Sequence, residues 1–474
     1  MPVIQEIRRP EPRSAAELPQ RAGVAVAPRT VRQETPLPPL SPAWRRIFKH
    51  PRLMHYNRLA LFVVTLNLVL LRYALAEGGW WSGHGAGVTA IATAAQANFA
   101  LAIIIRQQYV VNLMFWLATR PPNTWPLRVR WALAKVYQVG GLHVGGAASG
   151  TAWYLAFVGT LTYDAAIGVG GVSVVNVLLS YTLAAFFLVM IVMALPRFRS
   201  RFHDYFELTH RFLGWAGLVL IWINTVLFVA GRHPDTSLGS ALLATPTFWL
   251  LALTTTSAIL PWLRLRRVPI TVERPSSHVA LVTLDHGVTP PIGSARGISR
   301  SPLFGWHGFA SLPARGWVRG KYRMVVSRAG DWTSEFIDSP PSHIWVRGTT
   351  SAGLANVKKL FTKVVYVATG SGIGPMLAHL LANEVPAHLV WVTRDPRATY
   401  GDALVDEILA AQPDATIWNT TERGKPDMLR LAYAAYRDSG AEVVLCIANK
   451  RVTWQVVHGL ESRGIPACGP IWDS

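Results

Sequence analysis

Apolar residues gather in six long stretches between residues 57 and 263, and beyond them the pattern changes. The stretches run Asn57–Ala76, Gly87–Ala118, Trp131–Thr160, Gly171–Leu195, Tyr205–Ala230 and Leu243–Leu263. A bilayer crossing takes ~20 apolar residues, so the pattern predicts a six-helix transmembrane bundle over residues 50–267. From 268 to 355 short alternating segments such as "PITVE", "HVALVTLD" and "YRMVVSR" are broken by Gly and Pro, which predicts a small antiparallel β-barrel. From 360 to 474 the buried runs "KVVYVA", "HLVWVT", "TIWNT" and "EVVLC" alternate with helical runs such as "GDALVDEILAA". That order predicts an α/β doubly wound nucleotide-binding domain on a parallel sheet. Residues 1–45 have no apolar run and are rich in Pro, Arg, Ala and Glu. They read as a disordered tail without the apolar core of a cleavable signal peptide.

Composition supports the membrane reading. Of 474 residues, 51% are hydrophobic and only 15% charged, and the formal net charge is +20. A basic chain can bind nucleic acid, but here arginines flank the apolar runs, which argues against that partner. Arg120, Arg128 and Arg130 follow the second stretch, Arg197, Arg199 and Arg201 the fourth, and Arg264, Arg266 and Arg267 the sixth. The alternate loops hold only Arg232. By the positive-inside rule both termini and the soluble half are cytoplasmic, in a multi-pass inner or plasma membrane protein. Two cysteines, Cys446 and Cys468, make neither a disulfide framework nor an iron–sulfur site.

Polar residues inside the stretches stand out. Arg106 is costly in hydrocarbon and is expected to face the bundle interior, as an anion or cofactor ligand, a contact to the soluble half, or a structural arginine. His143 lies among glycines that imply close helix packing. His203 and His210 share one helix face. In the soluble half, "VATGSGIGPML" places Gly370, Gly372 and Gly374 after a strand and before a helix, with Pro375 at the first helical position. Such a turn lets backbone approach a pyrophosphate at a helix N-terminus. Twenty residues after Gly374 stands Arg394, and Arg397 follows. Arginine there suits the 2′-phosphate of NADPH, whereas Asp395 suits NADH.

Taken in this order, the parts resemble the ferric reductase and NADPH oxidase superfamily of membrane flavoproteins, with its ferredoxin-NADP reductase-like tail, from about residue 50 onward. The resemblance implies FAD and NADPH (or NADH). The family's flavin-cradling His-Pro-Phe-Thr reads "WHGFAS" here: His307 and Phe309 match, Gly308 and Ala310 do not, and Ser311 offers a hydroxyl. The family's "GDWT" turn is intact, with Asp331, Trp332 and Thr333 opening a helix toward the FAD pyrophosphate. Arg328 substitutes for the expected basic residue, and "RGTTSAG" at 347–353 replaces a glycine–proline loop. Cys446 falls where the family places a thiol near the nicotinamide, although a buried apolar role suits it equally. Trp472 falls where related reductases stack an aromatic on the flavin.

The same resemblance bears on haem. Of four ligand positions only His210 remains; Tyr137, Gly150 and Ile223 occupy the others. A lone haem would need His143 and His210, which the register sets at different depths. Haem is therefore not expected, and the chain looks like the haem-less branch that includes fungal developmental flavoproteins and membrane modules of nonribosomal-peptide-synthetase-like proteins. The implied function is a membrane-anchored NAD(P)H-dependent flavin oxidoreductase. Its small-molecule electron acceptor would lie on the cytoplasmic side or in the bilayer: a ferric siderophore, a quinone or another small molecule. The alternatives are a b-haem ferric reductase, or a non-enzymatic nucleotide-binding sensor or transporter. Oligomeric state is not set by the sequence.

Overall fold

The computed structural model describes residues 35–81, 86–169 and 171–471. Its first half is helical: α1 (His55–Ala76), α2 (Ala86–Ile104), α3 (Gln108–Ala118), α4 (Gly141–Ala166), α5 (Val174–Ala194), α6 (His203–Arg232), α7 (Leu238–Ala244) and α8 (Pro246–Ile259). The glycine-rich helix α4 packs against α1, α2 and α5. A Cβ at Gly141 would stand 1.9 Å from the Tyr56 carbonyl oxygen, and one at Gly146 would stand 2.8 Å from that of Asn98. Small residues let these backbones touch.

Four of these helices, α1, α2, α5 and α6, are singly long and apolar enough to cross a membrane, and α7 with the helical run from Pro246 forms a pair bent by 81°. The expectation of six uninterrupted spans is met only in part, for local reasons. The second stretch breaks at residues 105–107, so α3 has only 11 residues. The third begins late: residues 127–138 form a short helix and a 3-10 turn, and α4 starts at Gly141. The sixth is broken at Pro246, whose ring lacks the N–H needed to continue α7.

The antiparallel sheet contains β1 (Arg266–Glu273), β2 (Val279–Asp285), β3 (Ser294–Ser299), β4 (His307–Ala310), β5 (Leu312–Pro313), β6 (Lys321–Ser327), β7 (His343–Val346) and β8 (Ser351–Ala352). Its order is β4-β3-β7-β1-β2-β6-β5, with β8 beside β3. The two ends of that path, β4 and β5, are separated in sequence by Ser311 alone, so the sheet curls back on itself as the barrel the alternation predicts. After it comes α9 (Asp331–Asp338).

The parallel sheet follows, with β9 (Val364–Thr369), β10 (Ala387–Thr393), β11 (Thr416–Asn419), β12 (Val443–Ile447) and β13 (Ala467–Cys468). The order β11-β10-β9-β12-β13 reverses direction between β9 and β12, a doubly wound arrangement with its switch point there. Helices α10 (Gly374–Ala382), α11 (Asp402–Ala411), α12 (Met428–Ser439) and α13 (Lys450–Glu461) make the crossovers. β9, β10 and β12 are almost wholly buried, as strands covered on both faces must be.

Bidentate arginines lock the three parts together. Arg323 of β6 reaches both carboxylate oxygens of Glu407 on α11, at 2.9 and 2.6 Å. Arg130 reaches both of Glu442, just before β12, at 2.7 and 2.9 Å. Lys135 donates to Glu461 at 2.5 Å and to the Ala467 carbonyl at 2.8 Å. Asn112 on α3 donates to the Thr350 carbonyl and accepts from the Ala352 N–H, at 2.7 and 2.8 Å.

The predicted disordered tail needs correcting at its end. Residues 1–34 lie outside the described residues, but Pro38 and Ser41 are bonded to the residues just past α13. The Ser41 N–H donates to the Ser462 carbonyl, and Arg463 donates to that of Pro38.

Candidate functional site

A cavity of about 820 Å³ opens at the C-terminal ends of the parallel strands. Four of the five strand ends contribute: Thr369 and Gly370 at the end of β9, Thr393 and Arg394 at β10, Thr420 and Lys425 beyond β11, and Asn449 and Arg451 beyond β12. His278, from the turn between β1 and β2, closes the barrel side. This is where doubly wound sheets take ligands. Among the described residues three cationic side chains, Arg394, Lys425 and Arg451, line it, and no carboxylate does. A second hollow, of about 580 Å³, continues past Arg394 and Lys425 to Asp395. The Asp395 carboxylate accepts from Asn419 at 3.0 Å and Thr421 at 2.9 Å, so it is occupied in shaping its own loop.

The glycine turn takes three separate roles. Gly370 faces the cavity with φ +48°, a conformation that favours glycine. Its carbonyl accepts from the buried Trp391 indole at 3.0 Å. Gly372 presses on β12: a Cβ would lie 2.1 Å from the Ile447 carbonyl oxygen. Gly374 faces Val325 of the barrel, where a Cβ would meet that residue at an ordinary 3.7 Å. Residues 370–373 form a 3-10 turn and α10 begins at Gly374, so Pro375 is one position later than the sequence suggested. The expected second arginine is also corrected. Arg397 lies outside the cavity lining and pairs with Asp402 at 2.9 Å and Asp406 at 2.7 Å.

On the barrel, β4 and α9 bring the predicted flavin residues together. His307 packs on Trp332 with ring centroids 4.3 Å apart, Phe309 stacks on the same indole at 6.1 Å, and Phe336 lies behind it at 5.2 Å. Burial holds the His307 imidazole below its ordinary pKa, although Glu207 and Asp204 of α6 oppose the shift. Ser311 is buried and its hydroxyl has no partner. Thr333 accepts from the Ala329 and Gly330 N–H groups, so it builds the turn and is not free to contact a ligand. Asp331 puts an acid in the first turn of α9, where it competes with a phosphate for the helix N-terminus.

Arg328, expected to be the phosphate cation, is tied to both oxygens of Asp338, at 3.0 and 2.5 Å, and lowers that carboxylate's pKa. A different arginine is better placed. Arg347 lies across β3 between Trp262 and Trp306, 5.4 and 4.7 Å from their ring centroids, with its Nε buried and unpartnered. Burial, and then Arg211, lower its pKa. The aromatic shelf, the orphaned Ser311 hydroxyl and the two arginines fit a flavin with its phosphates.

Cys446 sits wholly buried on β12, away from the cavity, and burial pushes its thiol up to about 12. The geometry favours the packing role over the hydride path. Cys468 is equally buried. Ellman's reagent should therefore find no thiol in the native protein and two after denaturation; fast labelling of Cys446 before unfolding would contradict this burial. Trp472 lies outside the described residues.

In the bundle, the two histidines set at different depths by the sequence are neighbours, with ring centroids 6.4 Å apart. The late start of α4 shifts His143 to its first turn, level with His210 on α6. Farther along, the bundle is filled by rings. Phe99 meets Phe187 at 4.6 Å, Tyr154 meets Phe187 at 5.1 Å and Phe157 at 5.6 Å, and Phe157 meets Phe228 at 5.8 Å. Gly150 touches this layer: a Cβ there would lie 2.9 Å from the Phe99 ring. Among the described residues no group of three or more His, Cys, Asp or Glu is placed to hold a metal ion.

Sequence reasoning missed Lys425, Arg451 and Arg347. The signal for the first two was available: basic residues follow β11 and β12 as Arg394 follows β10.

A barrel followed by a doubly wound sheet with a glycine turn after its first strand has the two-domain plan of ferredoxin-NADP reductase-like folds. Residues 354–474 match the family described as "Adenylate-forming reductase 03009, C-terminal domain". The chain is homologous to two fungal proteins of Coprinopsis cinerea, adenylate-forming reductases 03009 and 06235, each 39% identical over 430 residues. That match takes in 90% of this chain, and the chain spans 41% of the length of each relative. Among solved structures, a Neisseria gonorrhoeae ferredoxin NADP+ reductase with bound FAD and NADP aligns with 44% of this chain and 98% of its own, at 12% identity and TM-score 0.35. A Malassezia yamatoensis flavohemoglobin aligns with 82% of this chain and 100% of its own, at 14% identity and TM-score 0.40.

Proposed function

We propose that this chain is a membrane-anchored NAD(P)H-dependent flavin oxidoreductase, of the haem-less kind related to ferric reductases, that delivers electrons on the side of the bundle carrying its soluble half. The observation that carries the reading is the cavity at the strand ends, lined by Arg394, Lys425 and Arg451 and facing the barrel through His278. Its volume lies within the range of small-molecule sites. The reductase names of the homologues support reductive chemistry. The apolar helices and the basic loops support the membrane placement, since Arg130 from one such loop is bonded to the soluble half.

The chain's residues divide the work. Arg394 and Lys425 stand together in both hollows and would hold the 2′-phosphate of NADPH, while Gly370 lets backbone approach the pyrophosphate. His307, Phe309 and Trp332 would support the flavin ring, Ser311 would donate to it, and Arg347 with Arg211 would neutralise its phosphates. When bound, NADPH supplies a hydride and FAD accepts it; the protein supplies placement and exclusion of water. Asp331 and Thr333 shape the turn beside that site, and Arg328 braces α9 through Asp338.

The coenzyme reading has a direct test. A hydrogen bond to a charged group contributes about 1.5–3 kcal/mol, so Arg394→Ala and Lys425→Ala should each raise KM for NADPH at least tenfold and leave that for NADH nearly unchanged. Equal effects on both coenzymes would contradict the 2′-phosphate assignment. If neither NADPH nor NADH bleaches the bound flavin anaerobically, the enzyme reading falls in favour of a sensor or transporter.

A further inference from the structure

The helix break at residues 105–107 collects three groups that the reductase reading leaves unused. Arg106 stands in the break, exposed, and a Cβ on Gly140 would lie 3.2 Å from its Nη1. Its charge bears on both His143 and His210. Those imidazoles meet edge to face, 6.4 Å apart. The Ala102 carbonyl, 2.8 Å from the His143 Nδ1, fixes the neutral tautomer with its proton on Nδ1 and leaves Nε2 to accept. The His210 Nδ1 is buried and has no partner, and Phe206 packs on the same ring at 5.4 Å. An unpartnered buried ring nitrogen asks for a ligand atom or a water.

Placement supplies the second argument. Asp204 and Glu207 on α6 face His307 of the barrel, and His210 follows Glu207 by about one helical turn. The cluster therefore adjoins the edge where His307 meets Trp332. Ile103, one turn before Arg106, and Val144, next to His143, are exposed at 37% and 43%. They present apolar side chains on the surface of the bundle beside the cluster.

We infer that Arg106, His143 and His210 form the acceptor site and that its ligand is the headgroup of a quinone dissolved in the bilayer; the inference rests on the flavin reductase reading. A quinone is an uncharged apolar ring with two carbonyl oxygens. The guanidinium and the unpartnered His210 Nδ1 can donate to those oxygens, His210 can pass on a proton, the acceptor Nε2 of His143 can take a hydrogen bond from the quinol hydroxyl, and the Phe206 ring offers an aromatic face. A hydrophilic ferric chelate does not suit a surface formed by Ile103 and Val144. The balance closes: NADPH gives up a hydride to become NADP+, and the quinone takes two electrons and two protons, the second proton coming from solvent, to become the quinol.

The test uses the full chain in lipid nanodiscs. Titration with ubiquinone-1, without nicotinamide, is followed by quenching of tryptophan fluorescence. Saturable binding is expected, weakened at least tenfold by Arg106→Gln and by His210→Gln and partly recovered in Arg106→Lys, with KM for ubiquinone-1 rising in parallel. Non-saturable quenching of the wild type, or one Kd shared by all variants, would overturn the site. So would a stoichiometric Soret band that His210→Gln removes. Bleaching of the flavin by NADPH is read separately. If bleaching fails while ubiquinone-1 still binds through these residues, the reductase reading falls and the binding site stands; if bleaching succeeds without saturable binding, the reverse holds.

Discussion

Replacing Gly372 by alanine should destabilise the soluble half by about 3 kcal/mol, the upper end for overpacking a buried contact. The new Cβ would stand 2.1 Å from the Ile447 carbonyl oxygen, and the obstacle is strand backbone, which cannot rotate away as a side chain can. Relief requires β9 and β12 to part at their C-terminal ends. That is the switch point of the sheet, between Gly370 on one side and Asn449 and Arg451 on the other. Protein that still folds should show KM for NADPH raised at least tenfold. Gly374→Ala is the control. Its Cβ would meet Val325 at 3.7 Å, in a residue that already has helical φ and ψ. It should be neutral or slightly stabilising, by up to about 1 kcal/mol. Equal behaviour of the two variants in denaturant titrations would refute this division of the glycines.

The second large effect is expected at Arg130. Removing one partner of a buried ion pair costs about 3–5 kcal/mol. Arg130 is 6% exposed and Glu442 is 24% exposed, so Arg130→Ala belongs at the low end of that range. The loss should appear as loosened docking, read as faster tryptic cleavage after Arg128, which is exposed in the first turn of the short helix that carries Arg130. Acid should act through the same pair. Arg130 and the Thr362 N–H hold the Glu442 pKa down to about 2, below its ordinary value of 4.5. A depressed carboxylate stabilises the folded state above its ordinary pKa, and that contribution is lost as pH falls through the folded value. Docking should therefore weaken between about pH 4.5 and 2 in the wild type, and Glu442→Gln should remove that step. An unchanged acid transition in Glu442→Gln would assign it to other carboxylates.

Much of the architecture was legible because it depends on short-range pattern. Alternation marks β1, β2 and β6, buried runs mark β9, β10 and β12, and the glycine turn falls where the fold needs it. What escaped depends on pairings between distant residues. Arg328 and Arg397 have the right position for phosphate binding, but Asp338, and Asp402 with Asp406, fold back to neutralise them. Lys425 and Arg451 gain a role only when the sheet order places their loops beside Arg394. His143 and His210 looked out of register because a continuous span was assumed from Trp131. Lys135 is instead drawn toward Glu461, the segment before α4 leaves the bundle, and α4 starts late.

The Arg130 clamp has a consequence for how the chain is assembled. One of the three arginines that follow the second apolar stretch is the same one that closes on Glu442. On the proposed membrane placement, docking then depends on the number of crossings between the two residues. A chain that left out one crossing between α4 and the end of α8 would set Arg130 and Glu442 on opposite sides of the bilayer, leave the carboxylate without its cation and keep the soluble half from seating. On that placement the clamp would act as a check on threading, because only an even number of crossings between the two residues lets it close.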